Sequence, residues 1–473
     1  SAATPGDVSP AIQNAATLLS LGRVDEARAE IDAALQKDTK SGAAYALRAV
    51  IAVALNDNET ALSDARRAVE LSPGSASAKI ALSYAQQANL ELAAARDTLL
   101  QAVEQEPENA LALARLAELH LMLGSRREAT AAAERAVALE PGLSRTQNVL
   151  GFAALAQIRP AQAQAAFEQA IALDSDDPMP RLGLGLAKIR QGQLEEGRAD
   201  LEAAVALDSN NALLRAYLGK AYFEEKRGPL DATQFEVAKE LDPLDPTAYF
   251  YNAISLQTEN QPVEALRELE AAIERNDNRA IYRGRLLLDK DRASRGTSQA
   301  RVYNDLGFRQ LGINSASDSV TLDPSNAAAH RFLSDTYRTA PRHETSRVSE
   351  LQQAQMLQDV NINPIQPSLS DTNLNIVTQG GPAAAGFNEF TPLFERNRAQ
   401  VNVSGFYGSN DTVGGEAVVS GVYDNLSLSA GRFAYDTDGY RSNNDLKHEI
   451  YNVFGQVAVT PAINLQAEYQ KRN

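Results

Sequence analysis

The sequence predicts an α+β multidomain chain, an all-α solenoid of helix pairs followed by antiparallel β-strands, and three observations support this. Small residues recur every 34 positions through the first 280 or so residues. Proline-bearing stop signals recur in the same phase. From Arg398 onward the apolar period becomes two.

The first ladder runs Ala27, Ala61, Ala95, Ala129, Ala163, Gly197, Asp231 and Ala265. A second, Ala34, Ala68, Ala102, Ala136, Ala170, Ala204, Ala238 and Ala272, is alanine throughout. The third, Ala15, Ala49, Ser83, Ala117, Gly151, Gly185, Gly219 and Ala253, is always small. Where two antiparallel helices approach closely, their contact points hold only a methyl group or a hydrogen. Second helices end in stops such as Leu71-Ser72-Pro73, Glu140-Pro141-Gly142 and Leu241-Asp242-Pro243, because proline cannot continue the hydrogen-bond ladder. Gly22, Gly124 and Gly192 fall between the paired helices.

These features resemble the tetratricopeptide repeat (TPR) family over roughly residues 8–278, as eight units in phase. The family's helix A tryptophan is missing, since the chain has no Trp. The resemblance implies a right-handed superhelix of helix pairs and binding rather than catalysis. Residues 1–278 are expected to form the solenoid. Residues 279–358 read as irregular helices and a degenerate or capping repeat, with Ala327–Arg338 and His343–Leu357 as its pair. Residues 359–397, with Pro364 and Pro367, read as an extended linker.

Residues 398–473 read as five strands, at 398–408, 416–423, 426–435, 448–459 and 463–470. Their connections alternate, with a longer loop at 408–415, a turn at Asp424-Asn425, a long polar loop at 436–447 and a tight turn at 460–462. Such alternation fits the start of a transmembrane β-barrel with short periplasmic turns and long outer loops. A periplasmic solenoid followed by an upward first strand should meet its first long loop at 409–415. Five strands fall short of the roughly eight that close such a barrel, so the 473 residues are expected to belong to a longer protein. A soluble antiparallel sheet shares the alternation and stays open as the alternative.

Composition narrows the function. With 44 % hydrophobic and 22 % charged residues the chain is ordinary folded material. A net charge of −16 argues against nucleic acid, which needs clustered Lys and Arg. The absence of cysteine removes disulfides, thiolate metal sites and thiol nucleophiles, and fits an oxidising compartment. No stretch approaches the roughly 18 apolar residues of a membrane-spanning helix. Ser1-Ala2-Ala3 reads as a mature or trimmed terminus.

No catalytic, cofactor or metal site is expected. His120, His330, His343 and His448 lack metal-ligand spacing, and His120 is placed in a helix core. Gly183-x-Gly185 lies inside a helix without the strand or third glycine of a dinucleotide fingerprint. Asp436-Thr437-Asp438-Gly439 departs from the EF-hand loop and reads as a turn.

The partner-binding groove is read from helix A positions that share one face. They are Tyr84 with Ile80, then Arg145, Asn148 and Phe152, then Met179, Leu182, Leu186 and Ile189, and finally Lys220, Phe223, Phe250 and Ile254. Arg145, Asn148 and Lys220 are expected to be exposed, as polar groups without reason to be buried. Ile12, Ala16, Ala46 and Val50 stand where chaperone-clamping TPR domains carry Lys and Asn, which disfavours chaperone docking.

In overall plan the chain resembles TPR-plus-barrel outer-membrane proteins of Gram-negative bacteria that export exopolysaccharides or assemble surface lipoproteins. The resemblance implies a location in the periplasm and outer membrane, a protein or peptide partner in the groove, and a role in export of a polysaccharide or other polymer. The alternative is a soluble interaction scaffold with a small β-domain.

Overall fold

The computed structural model describes residues 8–20, 23–55, 57–276, 285–337, 342–365 and 387–473. Gly22 lies outside them. The chain forms two compact units, residues 1–156 with 166–175 and 279–287, and residues 157–165 with 176–278 and 288–473.

In the first unit, α1 (Ser9–Ser20) pairs with α2 (Val24–Lys37), α3 (Gly42–Ala54) with α4 (Asn58–Leu71), α5 (Ala76–Ala88) with α6 (Leu92–Gln105), and α7 (Ala110–Met122) with α8 (Arg126–Leu139). Next come α9 (Ser144–Ala156) and α10 (Pro160–Leu173). In the second, α11 (Pro178–Arg190) pairs with α12 (Leu194–Leu207), α13 (Ala212–Glu224) with α14 (Leu230–Leu241), and α15 (Pro246–Thr258) with α16 (Pro262–Glu274). The off-pattern stretch then forms α17 (Arg285–Asp305) and α18 (Arg309–Leu322), and the last pair is α19 (Ala327–Tyr337) and α20 (Glu344–Leu357).

Side-chain caps set where many first helices begin. Ser41, Ser75 and Asn109 accept hydrogen bonds from the N–H groups of Ala44, Ala78 and Ala112. Asp177, Asn211 and Asp245 do the same for Met179, Leu214 and Thr247. These residues continue one spacing of 34, interrupted at Leu143, and each cap contributes about 1 kcal/mol.

All three ladders of small residues are buried. Size is traded across the contact. Gly151 faces Phe167 and Gly219 faces Phe235, where an added Cβ would stand 2.5 and 2.6 Å from the rings. Gly183-x-Gly185 is a packing feature, since a Cβ on Gly185 would come within 2.7 Å of the Gly197 carbonyl oxygen. The odd rung, Asp231, is buried and accepts a hydrogen bond from Ser255 Oγ at 2.7 Å.

The five strands are β1 (Arg398–Gly408), β2 (Thr412–Tyr423), β3 (Leu426–Thr437), β4 (Leu446–Thr460) and β5 (Ile463–Arg472). They form one antiparallel sheet in chain order. The expected loop at 408–415 does not exist. β2 begins at Thr412, the turn is confined to 409–411, and Gly414 and Gly415 pair with Phe406 and Gly405. The glycines that read as a loop make room instead, because a Cβ on Gly414 would lie 2.1 Å from the Phe406 ring. Among the described residues, 438–445 is therefore the one long connection between strands.

Residues 359–397 are not uniformly extended. Phe387–Phe390 and Pro392–Phe394 form short 3-10 turns, and 366–386 lie outside the described residues. Residues 355–361 pack on the sheet's inner face and answer its polar side chains. Gln456 Nε2 donates to the Gln358 carbonyl at 2.8 Å, Ser427 Oγ to that of Asn361 at 2.9 Å, and Gln466 Nε2 to that of Gln355 at 2.9 Å.

Candidate functional site

The groove residues read from sequence divide between the units. In the first, α5, α7 and α9 bring Tyr84, Arg115, Glu118 and Arg145 into one network. Arg115 is buried, with its guanidinium carbon 3.8 Å from the Tyr84 ring centroid. Its Nη1 donates to Glu118 Oε2 at 2.9 Å, and its Nε to Ser83 Oγ at 3.2 Å. The other Glu118 oxygen accepts from Arg145 Nη2 at 2.7 Å, and the same nitrogen donates to the Tyr84 hydroxyl. Burial raises the pKa of that hydroxyl; Glu118 adds to the shift, and the two arginines oppose it.

Arg145 is exposed, while Asn148 and Phe152 are half-buried. Asn148 Oδ1 is buried without a hydrogen bond, and Phe152 meets Phe167 edge-on at 5.0 Å. Sequence reasoning missed Arg115 and Glu118. The signal for Glu118 was available, since it stands 34 residues from both Tyr84 and Phe152, on the rung that supplied them.

The second unit differs from the expected open apolar groove. Leu182, Leu186, Ile189 and Phe250 are buried, while Met179 and Phe223 are half-buried. Lys220, expected to be exposed, is 0 % exposed. Water is replaced around it by specific partners. Its Nζ forms an ion pair with Glu224, donates to Asn388 Oδ1 at 3.1 Å, and lies 4.6 and 5.0 Å from the ring centroids of Phe223 and Phe394.

Asn388 and Phe394 belong to the 3-10 segment, which covers the face of α11, α13 and α15. Phe394 is fully buried, stacked with Tyr217 and edge-on to Tyr251, each at 6.2 Å. Such burial contributes about 2 kcal/mol. Arg396 forms a second ion pair with Glu224. Burial lowers the pKa of Lys220, partly offset by Glu224. Burial alone would raise that of Glu224, but Lys220 and Arg396 outweigh it and hold the carboxyl below its usual range.

Arg190, which sequence reasoning also missed, joins the segment to the sheet. Its Nη1 donates to the Glu395 carbonyl at 3.1 Å, and its Nη2 to that of Asp424, in the β2–β3 turn, at 3.0 Å. Asn397 N–H donates to the Arg190 carbonyl at 3.1 Å. Gly192, at φ +94°, permits this approach, because a Cβ there would stand 2.7 Å from the Asn397 carbonyl oxygen. Among the described residues, no group of three or more His, Asp or Glu is placed to hold a metal ion.

Residues 13–76 and 182–246 match the tetratricopeptide repeat family. No curated protein matches the chain. A solved structure of the APC/C hetero-tetramer Cut9–Hcn1 is similar, with a TM-score of 0.54 at 12 % identity over 74 % of this chain and 73 % of that one. Yeast Tom70 gives 0.43 at 13 % identity, over 74 % and 92 %. YrrB, described as a TPR protein with an unusual peptide-binding site, gives 0.28 at 19 % identity, over 39 % and 95 %. At 12 % identity the likeness to Cut9–Hcn1 speaks to fold alone. The helical part of this chain is a tetratricopeptide repeat array, continued by a five-stranded antiparallel sheet.

Proposed function

We propose that this chain is a non-catalytic scaffold of the Gram-negative cell envelope. Its repeats hold a protein or peptide partner in the periplasm, and its sheet sits in the outer membrane, in export or assembly of a secreted polymer or protein. The observation that carries the membrane placement is the outward face of the sheet. Adjacent strands align Val401, Val419, Ala430, Val453 and Tyr469 in one outward row, and Ala399, Gly421, Leu428, Gly455 and Ala467 in the next. Val403 is 75 % exposed and Tyr407 80 %. From Tyr423 to Val419 the apolar rows span about 13 Å along the strand, about half the height of a lipid-facing band. Charge returns in the next outward row, where Ala417 pairs with Arg432 and Tyr451 with Lys471, and Glu449 stands beyond Tyr451 on β4. So large an exposed apolar face calls for a cover, and lipid suits its even, shallow side chains.

No described helix is long and apolar enough to cross a membrane. A soluble sheet is the second reading, favoured by the packed cluster of Val418, Phe433, Tyr435 and Ile450 on the inner face. Fractionation of a Gram-negative host expressing the chain decides between them. Retention in the outer-membrane fraction after a carbonate wash is expected, and release into the soluble fraction would overturn the membrane placement.

A further inference from the structure

We propose that the face of α11, α13 and α15 is a peptide-binding site for an aromatic and arginine-bearing peptide, and that the chain supplies this ligand in cis as residues 387–397. The contacts are those of peptide recognition rather than of a folded core. The segment adds no strand and no helix pair to the repeats; it arrives as two 3-10 turns and is held by side chains of fixed type. Phe394 packs against Tyr217 and Tyr251, whose rings also meet each other edge-on. Arg396 reaches the Glu224 carboxylate, and the Asn388 amide oxygen faces Lys220. The register is fixed at one end by the backbone hydrogen bond from Asn397 to Arg190.

The docked segment also carries hydrogen bonds of its own. Asn388 Nδ2 donates to the Phe394 carbonyl at 3.0 Å, and the Thr391 and Phe394 N–H groups donate to the Asn388 and Thr391 carbonyls, each at 3.0 Å. Such internal bonds reduce the ordering cost of binding. Glu224 holds Lys220 and Arg396 together, so the site selects a ligand that brings its own cation. Tethering gives the segment an effective concentration on the order of millimolar, so a partner in trans must match this chemistry to compete, or bind elsewhere on the repeats. The site stands apart from the membrane placement, since Asn388, Phe394 and Arg396 dock on the repeats, although Asn397 also exchanges hydrogen bonds with Asp424 in the β2–β3 turn.

The test uses the full chain and a fluorescent synthetic peptide of residues 386–398. Phe394→Ala with Arg396→Ala is expected to open the site. Because occupancy in cis divides the affinity seen in trans, that variant should bind the peptide at least about tenfold more tightly than wild type. Adding Tyr217→Ala should abolish the gain. Leu393→Ala, in the same segment but 43 % exposed, should behave as wild type. Amide exchange in α13 and α15 should accelerate in the double variant while circular dichroism holds its helical signal. If the double variant loses that signal, Phe394→Leu replaces it and should give a smaller gain in the same direction. Equal peptide affinity in wild type and variant, or unchanged exchange in α13 and α15, would overturn the proposal.

Discussion

Gly151 lies against the ring of Phe167, and the contact exists because one residue is as small as the other is large. Gly219 and Phe235 repeat the trade. Gly151→Ala must push the Phe167 ring aside and should lower stability by about 1–3 kcal/mol, as overpacking does. Phe167→Leu added to it should restore part of the loss. Urea unfolding of the single and double variants reads the coupling, and strictly additive effects would refute the trade.

Glu118 serves two arginines that differ in burial, so their removal should differ in cost. Arg145 is exposed, and Arg145→Ala should cost less than about 1 kcal/mol. Arg115 is buried, and Arg115→Ala, which removes its hydrogen bonds to Ser83 and Glu118, should cost more, about 1–3 kcal/mol. Equal unfolding midpoints for the two variants would contradict the network.

His120 Nδ1 is buried without a hydrogen bond, and burial lowers the pKa of the ring below the ordinary histidine value, with Glu128 opposing. The unfolded ring therefore binds a proton first as pH falls. Its contribution to stability is complete above the ordinary value near 6.5 and declines as pH falls from there through the lowered folded value. His120→Phe should remove that acid-side decline, as read by thermal melts at a series of pH values.

A lipid-facing sheet carries a depth dependence that a soluble one lacks. Leu428→Lys, in the middle of the apolar rows, should cost about 2–4 kcal/mol of membrane stability, against about 0–1 for Val413→Lys beside Asp436 and Lys447. Retention after carbonate washing reads the contrast. Equal retention of the two variants would argue for a soluble sheet.

The repeats were legible because close helix approach tolerates only small side chains, and this leaves an unbroken ladder such as Ala34 to Ala272. The caps at Ser41, Ser75, Asn109, Asn211 and Asp245 follow the same spacing and were equally readable. Alternation placed the strands, but Gly414-Gly415 misled, since glycine makes room for Phe406 as well as it makes a loop. Lys220 was misread for a different reason. A lysine is buried only where partners replace its water, and Asn388 lies 168 positions away. No local pattern connects them. Arg190 escaped in the same way, because its acceptors are the backbone carbonyls of Glu395 and Asp424, and carbonyls leave no mark in a sequence.

Asn397 is hydrogen-bonded to Arg190 one residue before β1 begins at Arg398. A pull on the sheet is therefore delivered at once to the carboxyl end of α11, with no slack chain between. Under tension the bonds of Arg190 and the seat of Phe394 would carry the force first. The junction leaves β1 no free length before it meets α11, so the two are joined with little room to move apart.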